Sequence, residues 1–203
     1  MWVKVKTLGK QVNASTPERG INAYKAAAWL TVQFEKLYDL FDKNDPVFDP
    51  PISTFEPTKK EANVPNINTL PGEDVFYLDC RIMPEYSIKD VMAEIRKMAD
   101  ETEAKYKVKI ELSTEQEEQA QPATPVDAPV VKALESAIKE VYKIDAKPMG
   151  IGGGTVAAIF RGAGFNAAVW STLDDLAHQP NEYCNISSMV NDAKVIAHVC
   201  MQK

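Results

Sequence analysis

The sequence predicts an α/β protein: a βαββαβ unit over residues 1–113, followed by a shorter α/β segment over residues 126–203. Three observations predict it. Several short runs alternate apolar with polar residues, as half-exposed strands require, while two longer runs repeat apolar residues at steps of three and four, as amphipathic helices require. Between the two parts, residues 114–125 (Thr-Glu-Gln-Glu-Glu-Gln-Ala-Gln-Pro-Ala-Thr-Pro) have no apolar period and predict a linker.

Residues 2–8 alternate Val with Lys and predict the first strand. Thr16-Pro17-Glu18 then offers a capping hydroxyl, a first-turn proline and an acid, which predicts a helix start. Tyr24, Ala27, Leu30, Phe34, Leu37 and Phe41 would share one face of that helix. Asn44-Asp45-Pro46 and Asp49-Pro50-Pro51 break it, and residues 52–60 predict the second strand. The third strand, Val75 to Ile82, puts Phe76, Leu78, Cys80 and Ile82 on one side; Arg81 therefore faces away from the apolar side. Ser87 opens a second helix with the stripe Ile88, Val91, Met92, Ile95 and Met98, and Val108, Ile110 and Leu112 alternate in the last strand.

Such a split βαβ unit is a ferredoxin-like arrangement, with both helices on one face of an antiparallel sheet and the other face open. Beyond the linker, Val130, Leu134, Ile138 and Val141 mark a helix, residues 155–162 a shorter one, residues 167–170 a buried strand and residues 187–200 a closing helix. These are too few strands for a stable sheet, so this segment is expected to expose apolar surface.

At 203 residues, 45% hydrophobic and 26% charged, the composition is that of a globular protein. A net charge of -6 and a pI near 5.1 argue against nucleic acid or an anionic membrane as partner and favour a small molecule or a protein. Cys80, Cys184 and Cys200 form no paired framework, so free thiols in a reducing compartment are expected. The N-terminal residues lack a signal-peptide pattern and no apolar run reaches the roughly 18 residues of a membrane span, so the expected location is cytoplasmic. Asn13-Ala14-Ser15 matches a glycosylation sequon, which carries no weight without a secretory signal.

Few residues are candidates for chemistry. His178 is of the type that most often supplies nitrogen to zinc, although a lone histidine is more often a surface or satisfied core residue. Gly152-Gly153-Gly154-Thr155 ahead of a helix could admit an anionic group close to backbone amides, or could simply make a tight turn. It is not a phosphate loop, since no Lys-Ser or Lys-Thr follows. Arg81 could grip a carboxylate through two parallel hydrogen bonds or be a solvated strand arginine, and Asn68 could serve a ligand or only its turn.

Four stretches carry a resemblance when taken in order: Gly9-Lys10-Gln11-Val12-Asn13-Ala14-Ser15-Thr16-Pro17; Pro65 to Glu73 running into Leu78-Asp79-Cys80-Arg81; Gly152 to Thr155; and Ala177-His178-Gln179-Pro180-Asn181-Glu182. They resemble the lid and C-terminal catalytic segment of the di-zinc aminoacylase, acetylornithine deacetylase, succinyl-diaminopimelate desuccinylase and carboxypeptidase family. The resemblance implies a lid or dimerisation domain over residues 1–113, a linker over 114–125, and over 126–203 the C-terminal α/β part of a zinc-peptidase catalytic domain.

It further implies a hydrolase that deacylates N-acyl amino acids with two zinc ions, cobalt or manganese being alternatives, with dipeptides as the next substrate class. His178 would be a metal ligand, and Asn68, Arg81, Gly153, Gly154 and Thr155 would bind substrate. The family's other ligands and its general base come from an upstream domain, and no matching His-x-Asp or Glu-Glu context occurs here. The chain is therefore expected to be an incomplete portion, inactive and without stable metal by itself. Asn13 stands where the family usually carries a histidine that crosses the dimer interface to the oxyanion; losing a charged donor there costs on the order of 2 to 4 kcal/mol. Val156 and Ala158 also replace the family's frequent Asp and Arg, so no one member's specificity carries over. A homodimer through the lid is expected. The rival reading is a ferredoxin-like dimerisation or small-molecule-binding module without catalysis.

Overall fold

The structure, a computed structural model, describes residues 1–174, 176–177 and 179–202. Its strands are β1 (Trp2–Leu8), β2 (Val12–Asn13), β3 (Phe48–Asp49), β4 (Thr54–Lys60), β5 (Thr69–Leu70), β6 (Glu73–Arg81), β7 (Lys109–Gln116) and β8 (Gly150–Ile151). Its helices are α1 (Ala23–Gln33), α2 (Lys36–Leu40), α3 (Ile88–Tyr106), α4 (Pro129–Tyr142), α5 (Ala157–Gly162) and α6 (Ile186–Met201). They form two compact units: residues 1–46 with 50–120, and residues 47–49 with 121–203.

In the first unit, β4, β6, β1 and β7 lie side by side in that order, every pair antiparallel, which is the ferredoxin-like order for a βαββαβ chain. Val3 pairs with Leu78 and Val5 with Phe76, so the inward positions of the two central strands meet. Helices α1 and α3 cover that face, placing Leu30, Phe34, Val91 and Ile95 in one core with Val5 and Leu78. Burial alternates along β1, and along β6 from Phe76 onward, as the side-chain period of two requires; at the start of β6 Val75 is buried on the opposite side as well. Cys80 lies in this core, and burial pushes its thiol up to about 12, so it is an inert packing residue.

Two local expectations change. Thr16 caps nothing; residues 17–19 make one 3-10 turn, and α1 starts later, where Asn22 Oδ1 accepts from Lys25 N at 3.0 Å. Tyr24 consequently points outward, 48% exposed, and Ala23 and Ala26 take the buried positions. The linker also begins later than its composition suggests, because β7 runs to Gln116 in register with Trp2. Ser87, by contrast, caps α3 as its sequence indicates, accepting from Lys89 N at 3.1 Å.

The second unit has a small core. Ala137 and Ile138 of α4 meet Val195 of α6, with Trp170 set edge-on against Tyr142 at 5.9 Å. The stripe foreseen on α4 is present, but of its four residues only Ile138 is fully buried. Residues 167–170 form no strand, and Val169 is 60% exposed. A strand needs a neighbour for its backbone groups, and among the described residues Ala167 finds only the Thr124 hydroxyl, which accepts from its N–H at 3.1 Å and donates to its carbonyl at 2.7 Å.

Candidate functional site

Three stretches of backbone cross at one end of the first unit's sheet: residues 9–16, 20–23 and 66–72. Val12 and Asn13 pair with Leu70 and Thr69, and Ala14 N donates to Asn68 O at 2.8 Å. Gly9 N donates to Gly72 O at 2.7 Å, and Ala23 N, at the start of α1, donates to Pro71 O at 3.0 Å. Glycine is required at these crossings because of space. A Cβ on Gly9 would fall on the Ile21 carbonyl, and one on Gly72 would strike the Gln11 amide. The crossing thus sets Asn13 and Asn68 side by side on a stiff tip.

Both side chains are exposed. Asn13 Oδ1 accepts from Ser15 N at 2.9 Å, an Asx turn that fixes which way the amide points. Its Nδ2 donates to nothing among the described residues, so a hydrogen-bond donor remains available for an incoming oxygen.

Arg81 is not part of this tip. It ends β6 while the tip adjoins Glu73 at the strand's start, and at about 3.3 Å per residue the two are roughly 26 Å apart in one chain. Its guanidinium makes a two-pronged bridge to Asp79, Nε to Oδ1 at 2.7 Å and Nη2 to Oδ2 at 2.8 Å, and Trp2 Nε1 donates to the same carboxylate at 3.0 Å. Arg81 faces outward as its place in the alternation predicts, 46% exposed at the side chain.

In the second unit, Gly152, Gly153 and Gly154 follow β8. None has a left-handed φ, and a Cβ on any of them would meet nothing within 4 Å. Neither backbone conformation nor crowding within this chain therefore calls for glycine there. The expected helix start at Thr155 shifts: α5 begins at Ala157 and has six residues, and Thr155 contributes a carbonyl to Ala158 N at 3.0 Å without capping by its side chain. His178 lies outside the described residues. Among the described residues no three His, Cys, Asp or Glu side chains come together as a metal site, so no chemical step through a metal is derived.

Two polar clusters escaped the sequence reading. Asp74 is wholly buried on the apolar side of β6, held by Lys60 and Asn63. Its place in the run 74, 76, 78, 80 was the available signal. In the second unit Asp192 Oδ1 accepts from Tyr142 OH at 2.6 Å and Thr172 Oγ1 at 2.7 Å, and Oδ2 from Thr172 N at 2.9 Å. Burial works against ionisation of Asp192, but these bonds outweigh it and hold the carboxyl below its ordinary range. Nothing local in the sequence announces that cluster, since its members lie on α4, on α6 and in the stretch between α5 and α6.

A family model described as the peptidase dimerisation domain matches residues 1–107. A curated Methanococcus maripaludis protein described as an uncharacterised metallohydrolase is 39% identical over 209 residues, covering 96% of this chain and 50% of that protein. A Methanocaldococcus jannaschii protein of the same description is also 39% identical, covering 98% of this chain and 51% of its own length. The chain thus spans about half the length of the curated relatives it matches. Among solved structures, a Staphylococcus aureus tripeptidase superposes with a TM-score of 0.73 at 19% identity, over 98% of this chain and 50% of that one. A hydantoinase/carbamoylase-family amidase from Burkholderia vietnamiensis gives 0.69 at 14% identity, over 98% and 46%. Likeness at such low identity shows the shared fold, and the family match over the first half shows the kinship: the chain belongs to the M20 peptidase family, through the dimerisation domain that its residues 1–107 form.

Proposed function

We propose that this chain is the lid and the C-terminal catalytic part of a metal-dependent amide hydrolase that removes acyl groups from N-acyl amino acids, with dipeptides as the second substrate class. One observation carries the reading: Asn13 and Asn68 stand together on a tip where three backbone stretches cross, close enough at Gly9 and Gly72 to require glycine, with the Asn13 amide donor unspent. A preorganised donor aimed at developing negative charge is what a tetrahedral oxyanion needs. In this reading Asn13 stabilises the oxyanion; Asn68, Arg81, Gly153, Gly154 and Thr155 bind substrate, and the open surroundings of the glycines leave room for a ligand's close approach. His178 would be one ligand of a metal pair, zinc by preference with cobalt or manganese as alternatives, and that pair would activate water and polarise the scissile carbonyl. The setting is cytoplasmic, with no nucleic acid or membrane involved.

Arg81 and the tip lie at opposite ends of one sheet, so one small ligand can touch both only if they come from two copies. This supports a homodimer through the lid in which each substrate site draws the tip of one copy and Arg81 of the other. The outward stripe of Tyr24, Ala28 and Val32 on α1 is apolar surface such a contact would cover.

The test uses the chain alone and the chain joined to the part of the M. maripaludis protein that it does not match. With zinc, cobalt or manganese, the joined protein is expected to hydrolyse acetylornithine, succinyl-diaminopimelate or simple N-acetyl amino acids, and the chain alone is not. Turnover by the chain alone would refute its incompleteness. A joined protein that binds metal yet hydrolyses neither acyl amino acids nor dipeptides would favour the non-catalytic module.

A further inference from the structure

Asp74 is a carboxylate on the wrong side of a sheet. It shares the inward set of β6 with Phe76, Leu78 and Cys80, and its side chain has no exposure at all. Lys60 Nζ donates to Oδ1 at 2.5 Å and Asn63 Nδ2 to Oδ2 at 2.8 Å. Thr7, directly opposite in the β1–β6 register, is buried, and its hydroxyl finds no hydrogen-bond partner among the described residues. An apolar side chain would fill such a place without the cost of burying charge. The carboxylate therefore calls for a reason beyond packing.

The segments it ties together supply one. Lys60 ends β4, Asn63 opens the turn that follows, and Asp74 comes two residues after Gly72 closes that turn. The Asp74–Asn63 bond thus clasps the neck of the 63–74 loop, just above the Glu61 N to Val75 O rung at 3.0 Å. Lys60 Nζ also lies 4.7 Å from the centre of the Tyr24 ring in the first turn of α1. At the crest of the clasped loop is Asn68, whose carbonyl holds Ala14 next to Asn13. Closing a loop at its neck removes conformations its crest would otherwise visit.

We propose that Asp74, acting through Lys60 and Asn63, is the positioning residue that holds the Asn13–Asn68 tip in working geometry; the proposal rests on the reading of that tip as part of the substrate site. Asp74 touches no ligand itself. Backbone amide exchange on the full chain separates positioning from bulk stability, comparing Ala14 and Thr69 at the tip with Val5 and Leu78 at the sheet centre. In Asp74→Ala the tip amides are expected to exchange at least about tenfold faster, with the central ones within about twofold of wild type. Asn63→Ala, a change at an exposed turn residue, probes the same neck if Asp74→Ala does not fold, and should loosen the same two amides. Equal acceleration at all four positions, or none, overturns the proposal. In the joined protein of the previous section, Asp74→Ala should lower kcat with metal content unchanged. A loosened tip with unaltered turnover would leave the clasp standing and overturn its role in positioning the site.

Discussion

The two units are made from one chain of ordinary composition, yet they differ in how much of their apolar surface they hide. The first wraps two helices around a four-stranded sheet and exposes seven large apolar side chains among the described residues; the second exposes sixteen around a core of Ala137, Ile138 and Val195. Every strand of the main sheet has a neighbour of matching register, whereas residues 167–170, strand-like by composition, have none among the described residues. An apolar segment is buried only where its backbone groups can also be satisfied. The first unit hides most of its large apolar side chains, whereas the second leaves many of its own exposed.

Core truncation should break the symmetry most. Leu78→Ala, at the centre of the first unit, is expected to cost about 2–5 kcal/mol in denaturant unfolding, in line with buried leucines generally. Val195→Ala should leave that main transition where it is, because α6 contributes nothing to the first unit's core. A shared loss would mean that the two units unfold as one.

Acid should act on the second unit through Asp192. A carboxyl whose folded pKa is lowered contributes stability that is complete above its unfolded value, about 3.9, and lost as pH falls through the folded value. Below about pH 4, Trp170 should therefore leave Tyr142 and its emission shift to the red. Fluorescence with Trp2 and Trp29 replaced by Phe reads Trp170 by itself. Asp192→Asn should show the shifted spectrum already at neutral pH, and an Asp192→Asn spectrum identical to that of wild type would contradict this account of the cluster.

The smallest effect is the neatest comparison. Both α3 and α4 end on a lysine in the left-handed region, Lys107 at φ 58° and Lys143 at φ 57°. Glycine adopts that conformation without strain, so Lys107→Gly should raise the stability of the main transition by about 0.5–1 kcal/mol. Lys143→Gly relieves the same strain and should leave that transition unmoved.

What the sequence made legible was local. The alternation of β6 and the Ser87 cap depend on neighbours within a few residues, and both are present as read. That α1 starts after Asn22 and not at Thr16 is only partly local, since beside the Asn22 cap Ala23 N donates to Pro71 O far along the chain. Composition suggested a strand at residues 167–170, but pairing decides strands. At the candidate site, the motifs named Asn13, Asn68 and Arg81 but could not show that two share a tip and the third lies a strand's length away. The Asp74 clasp shows only once β4 and the turn after it are folded against β6.

The division of the site between two copies can be tested by mixing. Asn13→Ala and Arg81→Ala, each made in the joined protein and each nearly inactive, should recover about a quarter of wild-type activity when subunits are exchanged at equal amounts. Half the dimers are then mixed, and each mixed dimer has one intact site of its two. Activity no higher than that of the separate variants would place Asn13 and Arg81 in the same copy's site and contradict the account.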